Sequence, residues 1–358
     1  MAQHKCIIFT GGGSAGHVTP NIAIINKLRE QGWDINYIGS KQGIEQELIT
    51  KLDISYFPIF TGKLRRYFSW QNFIDPVKIL FGIWQAFWLC RRLKPNIIFS
   101  KGGFVSFPVV VAGWLQNIPV IVHESDLTPG LANKLSFYFA SKICLTFADS
   151  VRYFQDKSKI IVTGTPVREN LLHGDANKGL ELCGFNHQKK IILVFGGSLG
   201  AASINKVIRQ ALPELTKNYQ IAHICGIDKI DADYNYQEYK QFTYLNEEFP
   251  HVIAAADIVI CRSGANSVYE LLALKKPHIF IPLAKNASRG DQIDNALHFT
   301  KLGFSQMILE GNLNKDAVIE KVLLLTKNQH VIEEKLNTLN LPNSTKIICE
   351  LVAGFIMS

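Results

Sequence analysis

The chain has 358 residues, more than a single hydrophobic core comfortably serves, and this length predicts two domains. Its composition, 47% hydrophobic and 19% charged, excludes a disordered chain. The seven cysteines are scattered without a CxxC pair, which argues against a disulfide scaffold or a zinc site and for a reducing compartment.

The net charge of +8 is distributed unevenly along the chain. Residues 1–165 contain 18 basic and 10 acidic side chains, whereas residues 166–358 contain 20 of each. This asymmetry predicts that the N-terminal half meets an anionic surface, either nucleic acid or a membrane leaflet. No signal-peptide pattern opens the sequence, and no apolar run reaches the roughly 18 residues of a spanning helix, so we expect a cytoplasmic protein.

Short apolar runs alternate with helical patterns in the first half, which is typical of a doubly wound parallel sheet. Ligands bind such sheets at the loops that follow the carboxyl ends of the strands. The predicted strands are Lys5–Thr10, Asp34–Ile38, Asn96–Ser100, Pro119–Val122 and Lys142–Leu145.

The first of these loops is a glycine-rich turn, GGGSAGHVTP (Gly11–Pro20), which formally matches GxGxxG. A dinucleotide site also requires an acidic residue after the second strand, where this sequence has Gly39-Ser40-Lys41, so NAD binding is disfavoured. A phosphate-accepting turn remains. His17 lies at its mouth and is either a general base, since imidazole titrates near pH ~6.5, or a cap of the loop.

Two more loops follow predicted strands in the same half, KGGFVSFP (Lys101–Pro108) and HESD (His123–Asp126). With the first turn they predict three loops at one edge of the sheet. Two alternatives stay open at this point: Lys101 is a site residue or a solvated cation, and Glu124 is a site residue or an anchor for local backbone.

A helix predicted from about Pro76 carries more apolar residues than one core-facing stripe requires. Basic residues flank it: Lys63, Arg65, Arg66, Lys78, Arg91 and Arg92. Apolar aromatics with a basic rim are typical of a helix that docks on a membrane surface, and the alternative is a fully buried helix with solvated basic ends. The predicted docking residues are Ile79, Phe81, Ile83, Trp84, Phe87 and Trp88.

The segment VTGTPVRE (Val162–Glu169) has the composition of a crossover between domains. After it, the strand, glycine turn and helix of residues 7–28 recur at residues 192–212, where Ser198 would face a phosphate. We therefore expect two similar nucleotide-type domains, at 1–163 and 164–341. The terminal segment, 342–358, is a helix that packs on either domain, the N-terminal one by our assignment.

The stretch VICRSGANSVYE (Val259–Glu270) predicts a buried strand, a sharp turn and a helix opening near Ala265. Unpaired amides at a helix start attract phosphate, and Glu270, one turn along, suits a ribose diol. An ordinary strand-turn-helix with a solvated Glu270 is the alternative. The Asp231-Ala232-Asp233 run could hold a metal, but its polar surroundings favour a solvated loop. Gln292, near the start of a predicted helix, could bind phosphate or sugar hydroxyls, and the alternative is a helix start capped by Ser288 or Asp291.

Taken together and in this order, GGGSAGHVTP, HESD, TPVR, GGSLGA, CRSGANSVYE and DQIDNA resemble the MurG family of glycosyltransferases (family 28) almost end to end. The resemblance implies a GT-B fold, an α/β architecture of two Rossmann-like doubly wound parallel-sheet domains facing across a cleft. It implies an inverting, metal-independent transfer of N-acetylglucosamine from UDP-GlcNAc to the undecaprenyl-linked lipid I. It further implies peripheral attachment to the cytoplasmic face of the bacterial inner membrane, with cell-wall synthesis proteins as candidate partners and no cofactor.

Site residues follow from the same resemblance, position by position. The residues assigned to the donor are Ser14, Ala15, Gly16, Asp126, Arg168, Ser198, Leu245, Ala265, Asn266, Ser267, Val268, Tyr269, Glu270 and Gln292. The loops assigned to the acceptor diphosphate contain Gly12, Gly13, Gly102 and Gly103. The base that takes the acceptor proton is assigned to His17, with Glu124 as the second candidate.

The sequence departs from the family pattern at three places, which leaves the exact donor contacts open. Ser14-Ala15 replaces the commoner Thr-Gly, Glu124-Ser125-Asp126 replaces Glu-Gln-Asn, and Asp291-Gln292 replaces paired glutamines. Asp126 can accept a hydrogen bond from a sugar hydroxyl but, unlike Asn, cannot donate one when ionised.

Other functions compete with this interpretation. A GT-B transferase could act on another membrane lipid such as diacylglycerol, or the same fold could serve a UDP-sugar epimerase. A two-lobed binding protein would bind a UDP-sugar without turnover. Nucleic-acid binding fits poorly, because the aromatics cluster with aliphatics in one helix instead of interleaving with Lys and Arg.

Overall fold

The computed structural model describes residues 5–62, 71–197, 200–285 and 288–357, with the backbone alone at 71–74 and 357. The chain divides into two compact units, one formed by residues 1–167 and 342–358 and the other by residues 168–341. Each unit is a parallel sheet covered by helices, so the doubly wound organisation predicted for both halves is confirmed.

In the described part of the first unit, seven parallel strands pair in the order β3-β2-β1-β4-β5-β6-β7. The strands are β1 (Cys6–Thr10), β2 (Asp34–Ser40), β3 (Ser55–Ile59), β4 (Ile97–Ser100), β5 (Val120–Glu124), β6 (Lys142–Leu145) and β7 (Ile160–Val162). The helices between them are α1 (Thr19–Glu30), α2 (Ile44–Thr50), α3 (Gln71–Leu93), α4 (Phe107–Leu115) and α5 (Leu131–Ser136). Every residue of β1, β4 and β5 is buried, as expected for strands covered on both faces.

In the described part of the second unit, six parallel strands pair in the order β10-β9-β8-β11-β12-β13. They are β8 (Lys190–Phe195), β9 (Tyr219–Ile224), β10 (Tyr239–Phe242), β11 (Ile258–Cys261), β12 (His278–Phe280) and β13 (Ser305–Met307). The helices are α6 (Ala176–Cys183), α7 (Ala202–Leu215), α8 (Phe249–Ala255), α9 (Ala265–Ala273), α10 (Asp291–Lys301), α11 (Lys315–Lys327) and α12 (Gln329–Thr338).

The last helix, α13 (Ser344–Met357), packs on α1 of the first unit. Its buried side chains, Ile348, Cys349 and Val352, join the hydrophobic core formed beneath β1 by residues such as Ile24 and Leu28. The chain therefore returns to the first unit after completing the second.

The helix predicted from about Pro76 begins earlier, at Gln71. Proline lacks an N–H, so it removes one hydrogen bond of the second turn, while the remaining apolar face of α3 still packs on the sheet. None of the described helices is long and apolar enough to cross a membrane.

Candidate functional site

The first glycine turn connects β1 to α1 and is held from beneath by two side chains. Tyr37 lies on β2 and donates its hydroxyl to the Gly11 carbonyl at 2.7 Å. Glu45 lies on α2 and accepts the Gly13 N–H at 3.2 Å. A short 3-10 turn, Ala15–His17, follows and leaves His17 half-buried at the mouth, where it was predicted.

The second glycine turn follows β4 and lies directly against the first. A side chain at Gly103 would place its Cβ 2.3 Å from the Gly12 carbonyl oxygen and 3.2 Å from Cδ2 of His17. The φ angle of Gly103 is +84°, which also favours glycine. The structure thus brings His17 and the two turns assigned to the acceptor diphosphate into one cluster.

The third loop follows β5 and is organised by Glu124, which is 1% exposed. Its Oε1 accepts the N–H of Asp126 at 3.0 Å, and its Oε2 accepts the N–H of Gly130 at 3.1 Å and Nδ2 of Asn133 at 2.9 Å. The carboxylate therefore anchors its own loop, and Asp126, which is 9% exposed, is held beside it.

Lys101 is fully buried, so the solvated alternative is wrong for this side chain. Its Nζ lies 2.8 Å from Nδ1 of His123, 2.7 Å from Oγ of Ser125 and 3.0 Å from Oγ1 of Thr165. Burial lowers the pKa of Lys101 to about 7, although the charges of Glu124 and Asp126 oppose that shift. These three contacts of Lys101 form a buried polar network at the ends of the strands, which the sequence pattern did not reveal.

His123 is fixed in one tautomer by this network. Its Nε2 lies 2.8 Å from the Gly164 carbonyl, which can only accept, so Nε2 carries the proton and Nδ1 accepts from Lys101. Burial, and then the neighbouring Lys101, hold the pKa of His123 well below its usual value. The imidazole is therefore neutral at physiological pH.

Helix α3 presents a continuous apolar stripe to solvent. Its most exposed apolar residues recur at helical spacing: Val77, Leu80, Phe81, Trp84 and Trp88, each between 50% and 66% exposed. Ile79, predicted to face a membrane, is 8% exposed and packs inward, so that assignment is wrong. Ile83 and Phe87 are only partly exposed, and Phe87 packs against the core of the first unit.

In the second unit, β11 leads through the turn Arg262–Gly264 into α9, as the sequence predicted. The Ser263 hydroxyl donates to the Gln292 carbonyl at 2.8 Å, and Gln292 Oε1 accepts the Leu283 N–H at 3.1 Å. A Cβ at Gly264 would meet nothing within 4 Å, so the approach to the start of α9 is open within this unit.

Arg262 supports this turn from behind. Its guanidinium donates to the carbonyls of Ile281 and Pro282 at 3.0 and 3.2 Å and to Glu310 Oε1 at 2.7 Å. Burial alone would raise the pKa of Glu310, but hydrogen bonds from Arg262 and Ser203 hold it below its ordinary value. The network fixes the loops that flank the start of α9.

Glu270 lies on α9 and is bound by Arg168 through two hydrogen bonds, Nε to Oε1 at 2.9 Å and Nη2 to Oε2 at 3.1 Å. The structure therefore joins two residues that were assigned separately to the nucleotide. Leu245 is buried in the same unit, whereas Ser198 lies outside the described residues. The assigned residues Asn266, Ser267, Val268 and Tyr269 occupy the first turns of α9.

The remaining residues assigned to the donor, Ser14, Ala15 and Gly16, lie on the first glycine turn and the short 3-10 turn that follows it. Asp231 pairs with Arg209 at 3.7 Å within its polar loop. Across the described ranges no group of His, Cys, Asp and Glu side chains is arranged to hold a metal ion.

Two family models match this chain in sequence. The glycosyltransferase family 28 N-terminal domain matches residues 7–145, and the glycosyltransferase family 28 C-terminal domain matches residues 191–348. The chain belongs to glycosyltransferase family 28.

Relatives in this family are similar over nearly their whole length. An enzyme of Legionella pneumophila (strain Paris), named UDP-N-acetylglucosamine–N-acetylmuramyl-(pentapeptide) pyrophosphoryl-undecaprenol N-acetylglucosamine transferase, is 52% identical over 347 residues, covering 97% of this chain and 96% of the relative. An enzyme of the same name from Clostridium botulinum (strain Hall) is 49% identical over 352 residues, covering 98% and 99%.

Solved structures show that this member of family 28 has the GT-B fold. Acinetobacter baumannii MurG superposes with a TM-score of 0.78 at 24% identity and covers 98% of this chain and 99% of its own. A UDP-N-acetylglucosamine 2-epimerase superposes with a TM-score of 0.67 at 15% identity, covering 100% and 98%. Fold similarity alone does not distinguish transfer from epimerisation.

Proposed function

We propose that the chain transfers N-acetylglucosamine from UDP-GlcNAc to the muramyl 4-hydroxyl of lipid I and so produces lipid II for peptidoglycan synthesis. The observation that carries this proposal is the sequence identity of 52%, over 97% of the chain, to an N-acetylglucosamine transferase with that acceptor in its name. The epimerase shares only the fold, at 15% identity.

The donor nucleotide binds the second unit in this proposal. The first turn of α9 offers backbone N–H groups and the positive end of a helix dipole to the diphosphate. Glu270 lies further along the same helix, and an ionised carboxylate has about four lone-pair positions, so it can accept from the ribose diol while it is bound by Arg168. The backbone N–H groups and the positive end of α9 also stabilise the negative charge that develops on departing UDP, without a metal.

The acceptor binds the first unit, where His17 and the two glycine turns are in contact. His17 takes the proton of the attacking hydroxyl as its oxygen bonds to the anomeric carbon and UDP leaves from the opposite face, and this inversion gives a β linkage. Glu124 is the weaker candidate for this step, because both of its oxygens accept hydrogen bonds from its own loop and it is 1% exposed.

The lipid tail of the acceptor requires the protein to work at a membrane surface. The exposed stripe of α3 supplies two tryptophans and Phe81, and Lys78, Arg91 and Arg92 lie on the same helix. Amphipathic helices of this kind lie in the interface between headgroups and acyl chains, and anionic lipids attract their basic residues. We therefore propose peripheral binding at the cytoplasmic face of the inner membrane, where cell-wall synthesis proteins are candidate partners.

The test is transfer of labelled N-acetylglucosamine from UDP-GlcNAc to a short-chain lipid I analogue in the presence of EDTA. Product formation is expected, and it would support the donor, the acceptor and metal-independent transfer together. Transfer to diacylglycerol instead, or conversion of UDP-GlcNAc to its 2-epimer without acceptor, would replace the proposal by one of its rivals. UDP-GlcNAc binding without any turnover would indicate a binding protein.

A further inference from the structure

The buried Lys101 side chain connects segments of the first unit that are distant in sequence. Lys101 directly follows β4, and its N–H donates to the Thr10 carbonyl at the end of β1, at 2.9 Å. Its Nζ lies 2.7 Å from Oγ of Ser125 in the third loop and 3.0 Å from Oγ1 of Thr165 in the crossover segment. Ser125 and Thr165 are themselves buried. Lys101 therefore cross-links the third loop and the crossover segment to the centre of the sheet.

The contacts of Nζ match the donors of a protonated lysine. An ammonium group has three N–H donors and no acceptor. Nζ has three acceptors within 3.0 Å, namely Nδ1 of His123 and the hydroxyl oxygens of Ser125 and Thr165. A buried polar network whose donors are all satisfied is rigid, so Lys101 holds its partners in fixed positions.

One of these partners, Ser125, is followed directly by Asp126, the residue assigned to the sugar of the donor. Within the loop, Glu124 accepts the Asp126 N–H at 3.0 Å. From outside the loop, the Lys101 ammonium holds it through Ser125. Glu124 and Asp126 raise the pKa of Lys101 against the effect of burial, because the two carboxylates and the ammonium attract each other. The position of Asp126 therefore depends on Lys101, which is fully buried and acts through the loop.

We propose that Lys101 is a positioning residue for the sugar of UDP-GlcNAc. Its ammonium holds Ser125, and Ser125 sets the place of the Asp126 carboxylate, which accepts from a sugar hydroxyl. This inference rests on the proposed function insofar as UDP-GlcNAc is the donor and Asp126 contacts its sugar. It assigns to Lys101 neither a contact with the substrate nor a step of proton transfer.

The experiment measures the Kd of UDP and the Kd of UDP-GlcNAc for the full chain by calorimetry. Lys101→Met removes the ammonium and keeps most of the side-chain volume. Ser125→Ala and Thr165→Val each remove one acceptor of Lys101 from a buried position. These two variants form a matched pair, because only Ser125 is adjacent to Asp126 in the chain.

We expect Lys101→Met and Ser125→Ala to raise the Kd of UDP-GlcNAc about tenfold or more, because a displacement of about 1 Å can cost up to ~10²-fold. The Kd of UDP should stay within about twofold of wild type, since UDP lacks the sugar and its contacts are independent of this loop. Thr165→Val should raise the Kd of UDP-GlcNAc less than about threefold, because the hydrogen bond to Ser125 remains.

A double variant tests whether Lys101 acts through Asp126. Lys101→Met combined with Asp126→Ala should bind UDP-GlcNAc about as weakly as Asp126→Ala alone. A loss that adds in full to that of Asp126→Ala would overturn the inference. So would unchanged UDP-GlcNAc affinity in Lys101→Met, or an equal loss of UDP affinity, which would show a general effect on the fold.

The matched pair decides alone if Lys101→Met does not fold. Equal losses of UDP-GlcNAc affinity in Ser125→Ala and Thr165→Val would then overturn the inference, and a larger loss in Ser125→Ala would support it. Calorimetry needs no turnover, so a wild-type chain that binds UDP-GlcNAc and transfers nothing would count against the proposed function alone.

Discussion

Arg168 and Glu270, 102 residues apart in sequence, form a two-point ion pair at 2.9 and 3.1 Å. The guanidinium also lies over the ring of Phe249, 5.3 Å from its centroid, and the Glu270 side chain is only 14% exposed. The planar guanidinium is thus bound by the carboxylate and packed against the aromatic ring, so its orientation is fixed in advance. The pair therefore fixes the carboxylate that we assign to the ribose in one orientation before the nucleotide arrives.

This pairing predicts that the two residues contribute to UDP binding as a unit. Arg168→Ala and Glu270→Ala should each weaken UDP binding about tenfold or more, because each leaves its partner's charge without its hydrogen bonds. The double variant should bind only slightly more weakly than either single one, with a coupling energy of about 0.5–3 kcal/mol by calorimetry.

The control for this cycle is Lys189 and Glu238, an ion pair of the same unit in which both side chains are 31% exposed. Alanine at either position should leave UDP affinity within about twofold, since surface pairs contribute little. Additive losses at Arg168 and Glu270, or intact affinity in Glu270→Ala, would contradict the ribose assignment.

The assignment of the base makes a second prediction. His17→Ala should lower turnover about 10²–10⁴-fold, because proton transfer by a positioned side chain contributes that much. The matched control is His330→Ala, since His330 lies on α12 with its side chain 84% exposed. Turnover near that of wild type in His17→Ala would remove His17 from the role.

Glu124 should behave differently from His17. In the wild-type chain the Glu124 carboxylate accepts hydrogen bonds from two backbone N–H groups and from the Asn133 amide. Glu124→Gln keeps only one acceptor oxygen for these three donors. We therefore expect a lower Tm as well as lower activity, because a buried donor is left without a partner. A variant of unchanged Tm whose activity is lost would instead point to direct participation of Glu124 in proton transfer.

Local patterns in the sequence predicted the elements whose signals are contiguous. The stretch Val259–Glu270 predicted the strand, turn and helix that form β11 and α9, and α13 (Ser344–Met357) lies within the terminal segment 342–358 that was assigned to a helix. The edge strands β3 and β7 were missed, since they are short and Pro58 interrupts the apolar pattern of the first.

The sequence did not predict the contacts of Glu45 and Lys101, because these contacts join distant segments. Glu45 lies five residues after the end of β2, which is beyond the position of the acidic residue in the dinucleotide-binding pattern. The loop after β2 nevertheless turns back, so that the Glu45 carboxylate lies under the first glycine turn. Lys101 gave no signal of burial, because a lysine after a strand is usually solvated. Lys101 is enclosed because His123 and Thr165, from segments distant in sequence, contact its Nζ in the folded chain.

The exposed stripe of α3 predicts binding to anionic membranes. Trp84→Ser with Trp88→Ser should reduce sedimentation with vesicles containing anionic phospholipid about tenfold or more, because the two rings supply much of the apolar area. The control is Leu323→Ser with Val331→Ser, residues of similar exposure in the second unit. Equal binding of both double variants would exclude α3 as the docking element.

The buried Lys101 predicts how the stability of the chain depends on pH. Its pKa falls from 10.5 to about 7 on folding, chiefly by burial, so between these values the unfolded chain holds a proton that the folded chain has released. The free energy of unfolding then gains up to about 1.4 kcal/mol per pH unit from this group as pH rises through the window. Below pH 7 both states are protonated and the contribution is constant.

Lys101→Met isolates this contribution, because methionine fills similar space without a titratable group. Urea unfolding at pH 7, 8 and 9 should show a stability that rises less, or falls more, with pH in Lys101→Met than in the wild-type chain. Burial raises the pKa of Cys144 to about 12, and the Lys101 charge lowers it, so loss of the lysine moves that thiol further from the window. Lys134→Met, at an exposed position of α5, should keep the wild-type slope. Identical slopes in Lys101→Met and wild type would mean that Lys101 stays charged in the folded chain, held by its three hydrogen-bond partners.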